Sequence, residues 1–189
     1  MDIKEIGNMR VKQLLVTNVL IVLSLIVFFT LVRFVSISFS QVSMIVAFLL
    51  ALQGIVGLLR GDTTKSLLPI YEKVAVYEKE KMGREWYKER KTNFIGSVLL
   101  SCLMFLQAFW NRSLPEQTFQ MENSFLAILI FLTLALVNIG SVIRFRKIDR
   151  SLSKTDLKGY TRKSNVIGIG VGIIFAVIMG VITMHFILL

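Results

Sequence analysis

The sequence predicts an all-α integral membrane protein, a single membrane domain over residues 1–189 with about five transmembrane helices. The chain is 54% hydrophobic and 18% charged, whereas a soluble domain carries roughly 25% charged residues. Its charges are gathered into blocks, and between the blocks lie five charge-free stretches. Each stretch is close to the roughly 20 apolar residues that a helix needs to cross a bilayer. The stretches are 14–32, 42–59, 94–110, 125–143 and 166–187.

Helices are predicted for all five stretches because their apolar residues are continuous rather than alternating. Only helices and closed barrels satisfy the backbone hydrogen-bonding groups in lipid. Pro69 and Pro115 both fall outside the stretches, so unbroken helices are expected. The first stretch is expected to be retained, because mixed charges precede it and no signal-peptide cleavage site is present. Whether residues 34–39 form helix, interface or loop stays open.

The distribution of Lys and Arg predicts the orientation, because cytoplasmic loops are enriched in these residues. Residues 1–13, 60–93 and 144–165 hold three, nine and eight of them, which is 20 of the 22 in the chain. The intervening loops hold only Arg33 and Arg112. The N-terminus, the insert 60–93 and the loop 144–165 are therefore expected in the cytoplasm, and the C-terminus outside. We expect the protein in a plasma membrane, and its small size and short outer loops are typical of a bacterial one.

The insert 60–93 is predicted to contain an amphipathic helix that starts near Pro69 and runs, as one option, into the third span. Its apolar positions recur every three to four residues or a multiple of that. Two roles are open for this helix, lying against lipid headgroups or docking a partner. Its acidic residues alternate with basic ones and are expected to be solvated. The apolar positions are Tyr71, Val74, Met82 and Trp86, and the acidic ones Glu78, Glu80, Glu85 and Glu89.

Small residues recur every fourth position in the last span and, over a shorter length, in the second. Such a stripe lets two helices approach closely in lipid. Packing within the chain and contact with a second copy or another membrane protein are both open. The stripes are Gly168, Gly172, Ala176 and Gly180 in the last span, and Ser43, Ala47 and Ala51 in the second.

Polar residues inside the spans fall into two groups. Asn18, Gln53 and Asn138 are all expected about 6–9 Å below the cytoplasmic surface, at a rise of about 1.5 Å per residue. They predict either a hydrogen-bonded clamp between helices or a polar cavity open to the cytoplasm. Gln107 and His185 form a second pair near the outer surface, where His185 is either hydrated or a pH-sensitive contact.

The loop 144–165 carries eight cationic residues and two acidic ones. Each cation near an anionic surface contributes about 1 kcal/mol of attraction. Contact with anionic headgroups is therefore predicted, although setting the topology requires no such recognition. The residues are Arg144, Arg146, Lys147, Arg150, Lys154, Lys158, Arg162 and Lys163.

Composition bears on function chiefly by exclusion. One cysteine, Cys102, and one histidine, His185, are too few for a disulfide or for a metal site built on either residue type. No cofactor is predicted. The net charge of +10 follows the membrane rule, so nucleic acid is not expected as a partner.

The leading hypothesis is a non-enzymatic accessory, assembly or protective subunit that acts through helix packing in a membrane complex or homo-oligomer. This hypothesis is based on a packing face and on the lack of charged or catalytic groups inside the predicted spans. A small pore, exporter or uncoupled transporter lined by the inner amides is the alternative. A lipid-modifying enzyme that uses the cytoplasmic loop is the weaker one.

Overall fold

The computed structural model describes residues 2–34, 38–112 and 123–188, and every element in these ranges is helical. Five of the helices are long and apolar enough to cross a membrane, which confirms the prediction of an all-α chain with five candidate spans. Which end faces the cytoplasm stays a prediction from charge. Part of the segment 34–39 lies outside the described residues. The elements are α1 (Ile3–Phe34), α2 (Phe39–Arg60), α3 (Pro69–Met82), α4 (Arg84–Asn111), α5 (Asn123–Asp149), the short 3₁₀ helix η1 (Lys154–Leu157) and α6 (Tyr160–Leu188).

The helices continue past the apolar stretches into the basic blocks. α1 begins at Ile3 rather than at residue 14, and α5 ends at Asp149 rather than at residue 143. These flanks are rich in Lys, Arg and Glu, which are good helix formers, and nothing in them interrupts the backbone ladder. Charged side chains at one end of the bundle are therefore fixed on rigid helices. We call this end, where Arg10, Glu78 and Arg144 meet, the basic end.

The insert between the second and third spans turns sharply at Gly83. α3 begins at Pro69 as predicted, and it ends where Gly83 adopts a φ of +56°. That conformation is accessible to glycine at little steric cost. α4 starts at the next residue, Arg84, so the amphipathic helix does not run on into the third span. Gly83 thus makes a corner that folds α3 back towards the rest of the chain.

The apolar face of α3 and of the start of α4 is covered by this chain itself. Met82 and Trp86 form a buried core with Ile148 of α5 and Leu157 of η1. Val74, one turn further back along α3, is buried as well. The predicted apolar positions are thus correct for these residues. Packing Met82 and Trp86 against Ile148 and Leu157 removes their surface from water within the chain itself, and contact of this helix with headgroups or a partner stays a prediction.

α2 and α4 pack against each other along their length, and small residues allow it. Ser43 and Ala47 of the α2 stripe are buried in this contact, and Ala51 is half-buried. On α4 the contact includes Ala108, whose carbonyl oxygen accepts a hydrogen bond of 2.8 Å from the Ser40 hydroxyl. Close approach of this kind provides van der Waals contact where lipid offers no hydrophobic drive.

Two glycines that the sequence analysis did not single out complete this face. A Cβ added to Gly54 would lie 2.6 Å from Cγ2 of Val98 and 2.9 Å from the carbonyl oxygen of Phe94. A Cβ added to Gly57 would overlap the Phe94 ring. The backbones of α2 and α4 are therefore too close for a side chain at Gly54, and the Phe94 ring occupies the space beside Gly57.

α6 is attached to the bundle only near its start, among the residues that the structure describes. The Thr161 backbone N–H donates to Glu85 Oε2, and the Thr161 hydroxyl donates to the Glu85 carbonyl oxygen, both at 3.1 Å. From Val166 onward most described side chains of α6 are exposed. The helix therefore leaves the rest of the chain after its first two turns.

The α2–α4 contact predicts unequal effects of adding one methyl group. Gly54→Ala should lower stability by about 1–3 kcal/mol, because it pushes against backbone and against Val98. Gly96→Ala, also on a transmembrane helix but with nothing within 4 Å of the added Cβ, should be neutral or slightly stabilising. Thermal unfolding of the purified variants in detergent measures the difference. Equal melting temperatures for the two variants would contradict the close approach at Gly54.

Candidate functional site

A buried ion-pair cluster joins four helices at the basic end, with Glu78 of α3 at its centre. Glu78 Oε1 accepts hydrogen bonds from Arg10 of α1 at 2.8 Å and from Arg144 of α5 at 2.6 Å. Arg144 also donates to Glu78 Oε2 at 2.8 Å and to both oxygens of Glu89 on α4 at 3.0 Å. Arg10 in turn donates to both carboxylate oxygens of Asp149, at 2.7 and 3.1 Å.

The helical register explains why these charges are inside. Glu78 lies one turn after Val74 and one turn before Met82, and all three are buried on the same face of α3. Glu85 and Glu89 share a buried face of α4 in the same way. Residues four apart are neighbours on a helix, so an acidic residue in an apolar row is carried inward with it.

The alternation of acidic and basic residues predicted solvated carboxylates, and for Glu78, Glu85 and Glu89 that prediction is wrong. Glu80 is exposed, as expected. The burial of Glu78 could have been predicted from its position between Val74 and Met82 on the same face of the helix. The alternation of charges along the sequence obscured it.

Pairing keeps Glu78 ionised despite its burial. Burial by itself raises the pKa of a carboxyl group, but the hydrogen bonds and charges of Arg144 and Arg10 outweigh it, so the pKa of Glu78 lies below its ordinary value of 4.5. Arg10 also stacks on Phe145, with 4.3 Å from the guanidinium carbon to the ring centroid. The ionised carboxylate of Glu78 accepts hydrogen bonds firmly but is poorly suited to donate a proton near neutral pH.

Tyr77 lies beside this cluster with a buried hydroxyl that has no hydrogen-bond partner among the described residues. Burial, together with the nearby negative charge of Asp149, raises the pKa of Tyr77 to about 12. The phenol therefore stays protonated at any physiological pH. It contributes packing and its ring face to Arg10, whose guanidinium carbon is 5.4 Å from the ring centroid.

Of the predicted headgroup contacts in the loop 144–165, one is corrected by the structure. Arg144 is engaged by Glu78 and Glu89 inside the bundle, because its position on α5 faces α3 and α4. The other seven are exposed around the basic end: Arg146, Lys147, Arg150, Lys154, Lys158, Arg162 and Lys163.

The three inner amides do not form one cluster. Asn18 of α1 and Asn138 of α5 exchange two hydrogen bonds, of 3.0 and 2.9 Å, and so clamp these two helices together. Gln53 of α2 is not part of this clamp. It lines a cleft of about 400 Å³ instead. The structure thus contains a clamp between Asn18 and Asn138 and a separate cleft beside Gln53, and an opening of that cleft to the cytoplasm stays a prediction.

The cleft lies between the α2–α4 pair on one side and α1, α3 and α5 on the other. Its walls combine the ion-pair cluster with polar and aromatic side chains. The residues that line it are Gln13, Gln53, Tyr71, Val74, Ala75, Glu78, Trp86, Glu89, Arg90, Asn93, Phe94, Ser97 and Arg144.

A second cavity, of about 640 Å³, lies at the opposite end between α2 and α4 and is mostly apolar. Cys102, Phe105, Phe109 and Arg112 contribute to its wall. Gln107 is half-buried near this end. The side chain of His185 lies outside the described part of the chain, so the predicted pair of Gln107 and His185 stays a prediction.

The glycine stripe of α6 is uncovered, and so is the opposite face of the helix, where a Cβ added to Gly170 would also have no atom within 4 Å. A Cβ added to Gly168 or Gly172 would have no atom within 4 Å, and Ala176 is exposed. The surroundings of Gly180 are outside the described residues. The stripe on α6 has the same spacing as the stripe that packs α2 against α4. Over the length that the structure describes, no other helix packs against it.

No group of three or more His, Cys, Asp or Glu residues is arranged to hold a metal ion within the described ranges. Comparison of the chain with models of known families, with curated proteins and with solved structures finds no match.

The central position of Glu78 predicts a loss of stability when its charge is removed. Glu78→Gln removes the carboxylate that Arg10 and Arg144 share, but Arg10 keeps Asp149 and Arg144 keeps Glu89, so the change should cost about 1.5–3 kcal/mol. Glu80→Gln, an exposed neighbour on the same helix, should change stability by at most about 0.5 kcal/mol. Melting temperatures in detergent compare the two. A Glu78→Gln variant as stable as Glu80→Gln would contradict a central role for Glu78.

The lowered pKa of Glu78 also predicts how stability depends on pH. A group whose pKa is depressed by folding contributes its full stabilisation above its unfolded pKa, and this is lost as pH falls through the folded value. The stability difference between the wild type and Glu78→Gln should therefore be constant from pH 7 to pH 5 and should shrink below about 4.5. Thermal unfolding across this pH range tests it. A difference that narrows on raising the pH instead would contradict the pairing.

Proposed function

We propose that the protein is a non-enzymatic multi-pass membrane subunit that associates through α6 with a second copy of itself or with another membrane protein. The observation that carries this proposal is the uncovered stripe of α6. Five apolar helices are compatible with a multi-pass membrane protein. In three of these helices, including α6, the most apolar segment of 18 residues contains no buried residue.

The α2–α4 contact supports this interpretation from within the same chain. There, small residues at helical spacing are filled by a neighbouring helix, and Ser43 and Ala47 are buried as a result. On α6 the equivalent positions Gly168 and Gly172 meet nothing. Helix association in lipid depends on such close backbone approach, because lipid tails already solvate large apolar side chains. A helix from outside the chain is the occupant that this surface favours.

The ion-pair cluster supports a scaffold role in this proposal. It holds α1, α3, α4 and α5 together at one end, and Thr161 anchors α6 to the same end through Glu85. α6 is thereby held at a fixed starting point, and its small-residue face is uncovered, like most of the described helix beyond Val166. The plasma membrane and the orientation with the basic end in the cytoplasm belong to the same proposal, and the asymmetry of Lys and Arg supports them.

A small pore, exporter or uncoupled transporter is the second candidate, and the cleft that Gln53 lines is what favours it. Flux into liposomes would fall in Gln53→Leu but not in Asn138→Leu, whose amide pairs with Asn18. A lipid-modifying enzyme ranks last, because Glu78 and Glu89, which such an enzyme would use, are engaged by Arg144.

Disulfide crosslinking in native membranes tests the leading proposal. In a Cys102→Ser background, Gly172→Cys should give a crosslinked dimer if the partner is a second copy. Ile174→Cys lies on the opposite face of the same helix and is equally exposed, so it serves as the matched control. We expect several times more dimer from position 172 than from position 174, because only the former lies on the stripe.

A different partner would appear as an adduct of another mass, formed from position 172 after attachment of a bifunctional reagent. Gly168→Leu in the same background should abolish either product, since a bulky side chain one turn away prevents close approach. Adducts of equal yield from positions 172 and 174, or none from either, would contradict the proposal.

A further inference from the structure

Arg90 of α4 lines the cleft without a counter-charge. Its guanidinium carbon is 5.0 Å from the Trp86 ring centroid and 5.4 Å from that of Phe94, so the two rings one turn away on either side hold it in place. Its Nε–H is buried and has no hydrogen-bond partner, and it forms no ion pair among the residues that the structure describes. A buried donor left in this state costs free energy until an acceptor reaches it.

The acidic residues of the cleft wall do not supply that acceptor. Both oxygens of Glu89 are engaged by Arg144, and Glu78 is engaged by Arg144 and Arg10. Arg60 at the end of α2 is near enough for its charge to repel that of Arg90, and Asp62 offsets only part of this. The charge around Arg90 in this part of the cleft is therefore positive.

The rest of the wall around Arg90 offers hydrogen-bond donors. The side-chain amides of Gln53 and Asn93 are exposed to the cleft and make no side-chain hydrogen bond within the described residues. Ser97, one turn beyond Asn93 on α4, adds no free donor, because its hydroxyl already donates to the Asn93 carbonyl oxygen at 3.1 Å. A cation with neighbouring amide donors suits a group with several acceptor oxygens and negative charge. A planar guanidinium fork is particularly suited to phosphate.

We propose that this cleft is a binding site for a phosphate group, held by Arg90 and by the amides of Gln53 and Asn93. A volume of about 400 Å³ accommodates a phosphate with the glycerol or small group attached to it. The cleft runs from the start of α4, among charged residues, to Ser97 inside the apolar stretch. Two sources can bring a phosphate group to this depth. One is the headgroup of an anionic phospholipid, and the other is a soluble phosphate that enters from the basic end. The inference does not depend on association through α6.

Native mass spectrometry of the purified full chain in a maltoside detergent tests the site. Phosphatidylglycerol is titrated against a neutral glycolipid of the same acyl chains, which lacks phosphate. Arg84→Gln is the matched control for Arg90→Gln, because Arg84 is an exposed arginine on the same helix. The melting temperature of each variant without added lipid establishes that it is folded.

We expect wild type and Arg84→Gln to retain phosphatidylglycerol in preference to the glycolipid, and Arg90→Gln to lose about tenfold in affinity. Asn93→Asp places a negative charge at an exposed position of the same wall and should weaken binding to a similar extent. It keeps the proposal testable if Arg90→Gln fails to fold.

Competition with inorganic phosphate separates the two sources. Phosphate that displaces the lipid at millimolar concentration supports a site for the phosphate group itself, and lipid that stays bound supports a phospholipid site. Equal lipid retention by wild type, Arg90→Gln and Asn93→Asp would overturn the proposal. So would an equal loss in Arg90→Gln and Arg84→Gln, or binding of neither lipid nor phosphate.

Discussion

The pairing of Glu78 with two arginines from two other helices is the constraint on which the basic end depends. A lone carboxylate in this position would be expelled or protonated, because the desolvation penalty of a buried charge is several kcal/mol. Arg10 and Arg144 remove that penalty only if α1 and α5 are both in place beside α3. The positions of three helices are therefore linked through one side chain, and Glu89 adds α4 to the same unit.

Different physics holds the membrane-spanning parts of the helices. Between α2 and α4 contact is made by residues with little or no side chain. Gly54 lets the backbones approach, and Gly57 makes room for the Phe94 ring. Between α1 and α5 the link is a pair of amides, Asn18 and Asn138. Lipid competes well for large apolar surfaces but provides no hydrogen bonds and cannot follow a narrow groove. Close packing and amide pairs are accordingly the contacts that survive there.

Local composition was enough to predict the five apolar helices, the start of α3 at Pro69 and the apolar face that contains Val74, Met82 and Trp86. The fate of the charged residues was not predictable in the same way. Whether Glu78 is solvated or buried depends on arginines at positions 10 and 144, and no local pattern encodes contacts over such separations. Gln53 was grouped with Asn18 and Asn138 by depth alone. Depth gives no information on the direction in which a side chain points around its helix.

The attachment of α6 has a consequence for the order in which the molecule is built. Every member of the ion-pair cluster precedes residue 150, so ribosomal synthesis delivers all four of its helices before α6 is made. The unit up to α5 has no need of α6 to complete its own charge balance. α6 is made next, beside helices that can already form their ion pairs, and none of these helices covers its glycines Gly168 and Gly172.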